Sequence, residues 1–255
     1  MSRVPKRNSQ KLCRISESPL YAVRRLGSFR SSGVTAPVSA SVDAVIKFDT
    51  PESPHCVYNE ITAVNLAQRL NIPVANGVLT TVGTGLAFAS LELGAPGVPL
   101  REIAGNRLDR LALIYPDAVA ALVAFDVFIG NCDRAQNFRA SLVTPHVPLF
   151  CAFDHSHALL GIAPCASSAI RRLRAGELVS KSHPFYGLVE QSRLSYWIER
   201  ICDMSSFHIT ESCEHGRAIT SVSSRTQRAL GRALLSRRDK LTQIIEEHEA
   251  VIKAR

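Results

Sequence analysis

The sequence predicts an α+β protein of two lobes, β-rich in its N-terminal part and mainly helical in its C-terminal part. Short β-branched runs bounded by Ser, Gly and Pro dominate the chain before Gly94. After the break Gly94-Ala95-Pro96-Gly97 the apolar residues recur mostly at helical spacing. At 255 residues the chain fits one large domain or two lobes sharing a cleft. The expected division is a basic arm at 1–18, an N-terminal lobe at 19–97 and a C-terminal lobe at 98–255.

The strand-like residues Leu20 to Phe29 come first. The stretch 30–41, rich in Ser, Gly and Pro, reads as a turn that would expose backbone N–H groups around Ser31, Ser32 and Gly33. Ala44 to Phe48 is a short β-branched run ended by Asp49, Thr50 and Pro51. A helix of about 16 residues follows, carried by Val57, Ile61, Val64 and Leu70 and stopped at Pro73. Two strands then flank a turn at Gly83–Gly85.

In the C-terminal half, Pro116 opens and Gly130 closes an apolar helix. A polar cluster follows at once: Asn131, Asp133, Arg134 and Asn137. Leu149 to Phe153 is a strand ending at Asp154. Helices dominate from about Ser167, and the last segment carries one apolar stripe at positions 230, 234, 241, 245 and 252.

Composition narrows the function classes. Hydrophobic content of 46% and charged content of 20% describe an ordinary globular chain. No apolar run reaches the ~18 residues of a membrane span, and the basic N-terminus has no apolar segment after it, so a cytoplasmic protein without a membrane is expected. Seven cysteines at irregular spacings, without a C-x-x-C, suit reduced thiols. A net charge of +8 favours anionic partners such as nucleotide phosphates. The positive charge is scattered and no nucleic-acid-binding motif is present, which leaves direct nucleic-acid binding the minority reading.

Taken singly, Lys47 on a strand, Glu60 on a helix or Asp133 in a loop reads as surface or turn chemistry. Their order is more telling. Phosphoryl transfer from ATP needs a loop over the phosphates, a lysine that pairs with them and a glutamate that holds the lysine. It then needs a carboxylate for the acceptor hydroxyl, and an amide and a second carboxylate for metal ions. Ser31–Gly33, Lys47, Glu60, Asp133, Asn137 and Asp154 occur in that order.

Several stretches resemble the HipA-like kinases, a branch of the protein-kinase-like fold. "AVIKF" looks like the strand carrying their ATP-binding lysine, and "NEITAVNLAQRLNIPVA" is similar to their following helix, with Asn71 where glycine is common. "FDVFIGNCDRAQN" resembles their catalytic loop, and "LFCAFDHSHAL" their metal-binding segment. The resemblance covers most of the chain from about residue 20 and implies a bilobal kinase-like fold using ATP and Mg. It implies Lys47 on the phosphates with Glu60 fixing it, and Asp133 as catalytic base. Asn137 and Asp154 would hold the metal. Arg134 would support the loop or neutralise phosphate. Glu92, Leu93 and Gly94 would form the connector that meets adenine, and Ser31, Ser32 and Gly33 the phosphate loop. A protein Ser/Thr acceptor and an antitoxin-like or regulatory partner are also implied. The loop departs from the family in two ways: Asp133 and Asn137 stand one residue closer, and Ala135 replaces a common histidine. A catalytically weak or inactive pseudokinase-like binding module is the alternative reading.

Overall fold

A computed structural model describes residues 21–29, 37–93, 100, 102–142, 149–161 and 165–253. The expected arm at 1–18 and phosphate loop at Ser31, Ser32 and Gly33 lie outside them, as does Gly94 of the connector.

The N-terminal lobe begins with an antiparallel ribbon of β1 (Val23–Phe29) and β2 (Val38–Val42). β2 falls in the stretch read from sequence as a turn. Its alternation of Val with Ser and Ala gives only a weak apolar period, and it pairs with β1 along one edge with irregular register. A separate antiparallel sheet has the order β3-β5-β4, from β3 (Ala44–Lys47), β4 (Gly77–Val82) and β5 (Gly85–Leu91). Lys47 lies opposite Phe88 in this sheet, and Phe88 opposite Leu79.

Helix α1 (Cys56–Leu70) connects β3 to β4. It ends at Asn71 in the left-handed region (φ 57°), a conformation Asn tolerates better than most residues. Asn71 therefore does the terminating work of the glycine it replaces in the family pattern. The amide of Ile72 closes the helix onto the Ala67 carbonyl at 2.9 Å. The helix is buried on nearly every side, including Asn59 and Glu60, so these polar groups must find partners within the fold.

The C-terminal lobe is built around α3 (Pro116–Ile129), preceded by the short α2 (Leu108–Ile114). Every residue of α3 after Pro116 is buried, so its apolar run is core. No single helix among the described residues is long and apolar enough to cross a membrane. Gly130 ends α3 at φ 66°, and a Cβ there would meet the Leu173 side chain at 2.8 Å, so glycine is required by both backbone and space.

A two-stranded ribbon follows, β6 (Phe138–Ala140) with β7 (Phe150–Ala152). Phe138 and Phe150 stack beneath it at 6.0 Å, and Phe185 packs on Phe138 at 5.0 Å. Helices α4 (Ala166–Ala175), α5 (Gln191–Cys202) and α6 (Ser206–Cys213) complete the body with α7 (Ser224–Arg238), α8 (Leu241–Glu247) and α9 (Glu249–Ile252). The sequence treats the last three as one helix. Its apolar stripe is buried throughout, at Leu230, Leu234, Leu241, Ile245 and Ile252, but the backbone breaks twice. The first break follows Arg238; just before it Arg237 turns inward and donates to the carbonyls of Val127, Leu173 and Glu177. A buried guanidinium thus closes the C-terminal ends of α3 and α4.

Backbone bonds join the two lobes: Ala75 N–H to the Ala152 carbonyl at 2.8 Å, and Ala152 N–H to the Pro73 carbonyl at 2.9 Å. On the other side of α1, the Tyr58 hydroxyl donates to the Cys213 carbonyl at 3.0 Å, and Thr62 bonds His215 at 3.1 Å.

Candidate functional site

The cleft between the lobes measures about 340 Å³, within the range of small-molecule sites, and is lined by Val45, Lys47, Glu92, Leu93, Phe153 and Asp154 among others. One end is ionic. The Lys47 ammonium lies 2.7 Å from Glu60 Oε1 and 3.0 Å from Asp154 Oδ1. Three separate elements therefore meet on one cation: β3, α1 and the end of β7. Burial alone would lower the Lys47 pKa, but the two carboxylates outweigh it and raise it.

Glu60 is the pivot. Its Oε1 also accepts the backbone N–H of His155 at 2.9 Å, so the glutamate binds the N-terminal lobe's lysine and the C-terminal lobe's backbone at once. Its neighbour Asn59 reaches the same segment, donating to the Ser156 carbonyl at 2.8 Å and accepting from Leu160 N–H. These bonds explain why a carboxylate and an amide can be fully buried on α1.

Asp154 sits just past β7 with φ 56°, a left-handed conformation uncommon for a residue with a Cβ. Ser156 stabilises it from two residues on, donating its hydroxyl to Oδ1 at 2.7 Å and its N–H at 3.3 Å. Burial would raise the carboxyl's pKa; Lys47 and the Ser156 bonds outweigh that and hold it well below the usual carboxylate range.

The polar loop after α3 folds in two layers. Beneath it lies Asp126, 1% exposed. The Arg134 guanidinium grips Asp126 bidentately, Nε to Oδ2 at 2.7 Å and Nη2 to Oδ1 at 2.9 Å. Asn131 adds a bond to Oδ1 at 3.0 Å and His183 one to Oδ2 at 3.0 Å. The remaining Arg134 nitrogen, Nη1, donates to the carbonyls of Asn137 and Phe153, both at 2.7 Å. Burial opposes ionisation of Asp126, yet the guanidinium and its fellow donors keep the carboxyl far below the usual range.

This corrects one expectation. Of the two roles considered for Arg134, the geometry supports loop support and not cofactor binding. The side chain is 2% exposed and points away from the cleft into Asp126, where a phosphate does not reach it.

Above this layer the loop presents Asp133, its side chain half exposed, with His157 Nδ1 at 3.5 Å from Oδ2. The short spacing to Asn137 is closed by a tight turn: Asn137 N–H donates to the Arg134 carbonyl at 3.1 Å, and its side-chain Nδ2 to the Asp133 carbonyl at 2.8 Å. The Asn137 carbonyl in turn accepts Phe153 N–H at 3.0 Å, which ties the loop to the residue before Asp154.

Among the described residues, no group of three or more His, Cys, Asp or Glu is arranged to hold a metal ion on its own. Asn137 and Asp154 offer donors of a different kind, one amide and one ionised carboxylate, of which Asp154 stands beside Lys47. Those oxygens suit Mg²⁺ shared with phosphate oxygens, since Mg²⁺ usually takes one or two carboxylates plus substrate.

Glu92 and Leu93 line the cleft at its other end. The Glu92 N–H is engaged with the Asp43 carbonyl at 2.9 Å, so that group faces away from any ligand. Sequence reasoning missed Asp126 and His183. The signal for Asp126 was there: a carboxylate inside the otherwise apolar run of α3 has to be paired if that run is buried.

No family model matches the sequence, and no curated protein does. Solved structures do. The proinflammatory kinase CtkA of Helicobacter pylori superposes with a TM-score of 0.55 at 13% identity, over 91% of this chain and 97% of that one. HipA of Shewanella oneidensis, solved with HipB and operator DNA, superposes with a TM-score of 0.53 at 17% identity, over 96% of this chain and 69% of that one. The resemblance drawn from the sequence therefore holds at the level of the fold, and the chain has the bilobal α+β architecture of the HipA-like kinases.

Proposed function

We propose that the protein is an ATP- and Mg-dependent phosphotransferase of HipA-like type, acting on a serine or threonine of a protein. The observation that carries this is the Lys47 ammonium held between Glu60 and Asp154, at 2.7 and 3.0 Å, across the two lobes. A structural ion pair needs one carboxylate. A lysine given two, one of them on the cleft wall, can exchange the second for a phosphate while the first keeps it in place.

In this reading the base lies toward Leu93 and the phosphates toward Lys47. Lys47 neutralises phosphate charge and Glu60 positions it. Asn137 and Asp154 would hold Mg²⁺, which when bound offsets the negative charge of the phosphates. Asp133 accepts the proton of the acceptor hydroxyl as its oxygen bonds to the γ-phosphorus. The bond from that phosphorus to the β–γ bridging oxygen breaks, and ADP leaves with the electron pair. Asp133 suits this part because it is half exposed, where an acceptor can reach it. The boundary between lobes near residues 97 and 98, the phosphate loop at Ser31–Gly33 and an antitoxin-like or regulatory protein partner belong to the same proposal.

A pseudokinase-like binding module is the second reading. It is favoured by the short four-residue spacing of Asp133 and Asn137. Incorporation of labelled γ-phosphate, in cis or into a protein mixture, separates the two. Transfer is expected in wild type and reduced by about 10²–10⁴-fold in Asp133→Asn, the usual range for a lost general base. ATP-dependent thermal stabilisation without any transfer would establish the second reading, and absence of both would sink both.

A further inference from the structure

The cleft contains a second cation that the phosphate chemistry does not use. Arg139 is the middle residue of β6; its neighbours Phe138 and Ala140 point into the core, so its side chain emerges on the opposite face and lines the cleft. It is pinned there. Its guanidinium carbon lies 4.9 Å from the Phe153 ring centroid, Nη2 is 3.2 Å from Glu102 Oε1, and Nη1 donates to the carbonyls of Gln136 and Phe138, both at 3.0 Å. The Arg139 side chain is three-quarters buried while the Glu102 side chain is 70% exposed. Such a pair contributes little stability by itself, so the ion pair does not explain why a charged side chain shares the cleft lining with Leu93 and Leu100.

Lys47 and Arg139 also differ in chemistry. Lys47 is a point charge between two carboxylates. Arg139 offers a flat, delocalised cation already stacked on an aromatic ring, the form suited to a π-system. We propose that Arg139 is a specificity-determining residue for the nucleotide, its guanidinium–Phe153 stack forming the surface against which the purine base lies. The inference rests on the nucleotide-binding reading above.

The test is calorimetric titration of wild type, Arg139→Met and Arg139→Lys with Mg·ATP and, separately, with Mg·tripolyphosphate, which lacks the base. Base stacking predicts that both variants lose about 3- to 30-fold in ATP affinity, the range for a cation–π contact. Tripolyphosphate affinity stays within about twofold. If Arg139→Met does not fold, Arg139→Lys carries the same comparison, since lysine keeps the charge but not the plane. Unchanged ATP affinity in the folded variants overturns the inference. So does a loss of tripolyphosphate affinity in Arg139→Met that Arg139→Lys restores, which would assign Arg139 to phosphate. Wild type that binds neither probe at millimolar concentration overturns the nucleotide reading itself.

Discussion

Asp126 and Asp154 are both carboxylates whose pKa burial would raise and cationic neighbours pull below the ordinary range. Their surroundings differ in kind. Asp126 is 1% exposed, and Arg134, Asn131 and His183 all come from its own lobe. The Asp154 side chain is one-third exposed, and its cation comes from the other lobe. The same electrostatics therefore serves two ends. At Asp126 every partner is fixed by packing and the result is a rigid support. At Asp154 the partner is a lysine that keeps a second carboxylate, and under the proposed function the bond opens to a phosphate. Burial and the lobe that supplies the cation distinguish the two sites, while the direction of the pKa shift is the same in both.

The contrast is broken most severely at Asp126. Asp126→Ala leaves the Arg134 guanidinium buried without its carboxylate, and such a loss costs about 3–5 kcal/mol. Denaturant unfolding should show a destabilisation of that size. A loss under about 1 kcal/mol would mean that water or another group reaches Arg134 and that the hub is not a closed structural unit.

Histidine titration sharpens the comparison further. Phe185 N–H can only donate, so His183 Nδ1 accepts it at 3.2 Å and Nε2 carries the hydrogen given to Asp126. A second ring proton would face the Phe185 N–H. Burial, with Arg134 nearby, pushes the His183 pKa down despite Asp126. With the folded pKa below the ordinary ~6.5, the unfolded chain binds the extra proton first. Stability is then complete above about pH 6.5 and falls as the pH drops, by at most ~1.4 kcal/mol per pH unit for one group. His215 is shifted the same way by burial and Arg217, so it adds its own share. The carboxylate contributions of Asp126 and Asp154 persist to lower pH, because a depressed carboxyl loses its share only below the ordinary carboxylate range. Melting curves between pH 7 and 5 should show a shallower loss in His183→Gln than in wild type. Equal slopes would remove His183 from the account.

Much of this organisation was readable in the residues. Lys47, Glu60, Asp133, Asn137 and Asp154 stand in an order that phosphoryl transfer explains, and the structure gathers Lys47, Glu60 and Asp154 within hydrogen-bond distance. Helix ends were legible where one residue decides them, as at Pro116 and Gly130. What escaped was decided by tertiary context. Strand β2 has too little apolar period to announce itself and exists through pairing with β1. The terminal segment is three helices, with breaks after Arg238 and at His248, and Arg237 serves three carbonyls from elsewhere in the lobe that no local pattern encodes. Arg134 looked equally able to face a phosphate or the core, and only the position of Asp126 decides between them.

The finest test sets against each other two hydrogen bonds from neutral donors to ionised carboxylates. Asn131 donates to Asp126 at 3.0 Å and Ser156 to Asp154 at 2.7 Å, so each substitution to Ala removes one donor from a comparable carboxylate. Asn131 is 1% exposed and also accepts the N–H of Asp133 at 3.2 Å, so its loss strips two bonds in a place where water does not replace them. Asn131→Ala should cost about 1–3 kcal/mol. Ser156 is partly exposed, beside a carboxylate that keeps Lys47, and Ser156→Ala should cost about 1 kcal/mol or less. Its larger consequence falls on the left-handed turn at Asp154, which the Ser156 hydroxyl helps to hold, and therefore on ligand affinity. Equal stability losses in the two variants would show that the cleft carboxylate is as closed a structural unit as the buried one, and that Lys47 does not exchange partners.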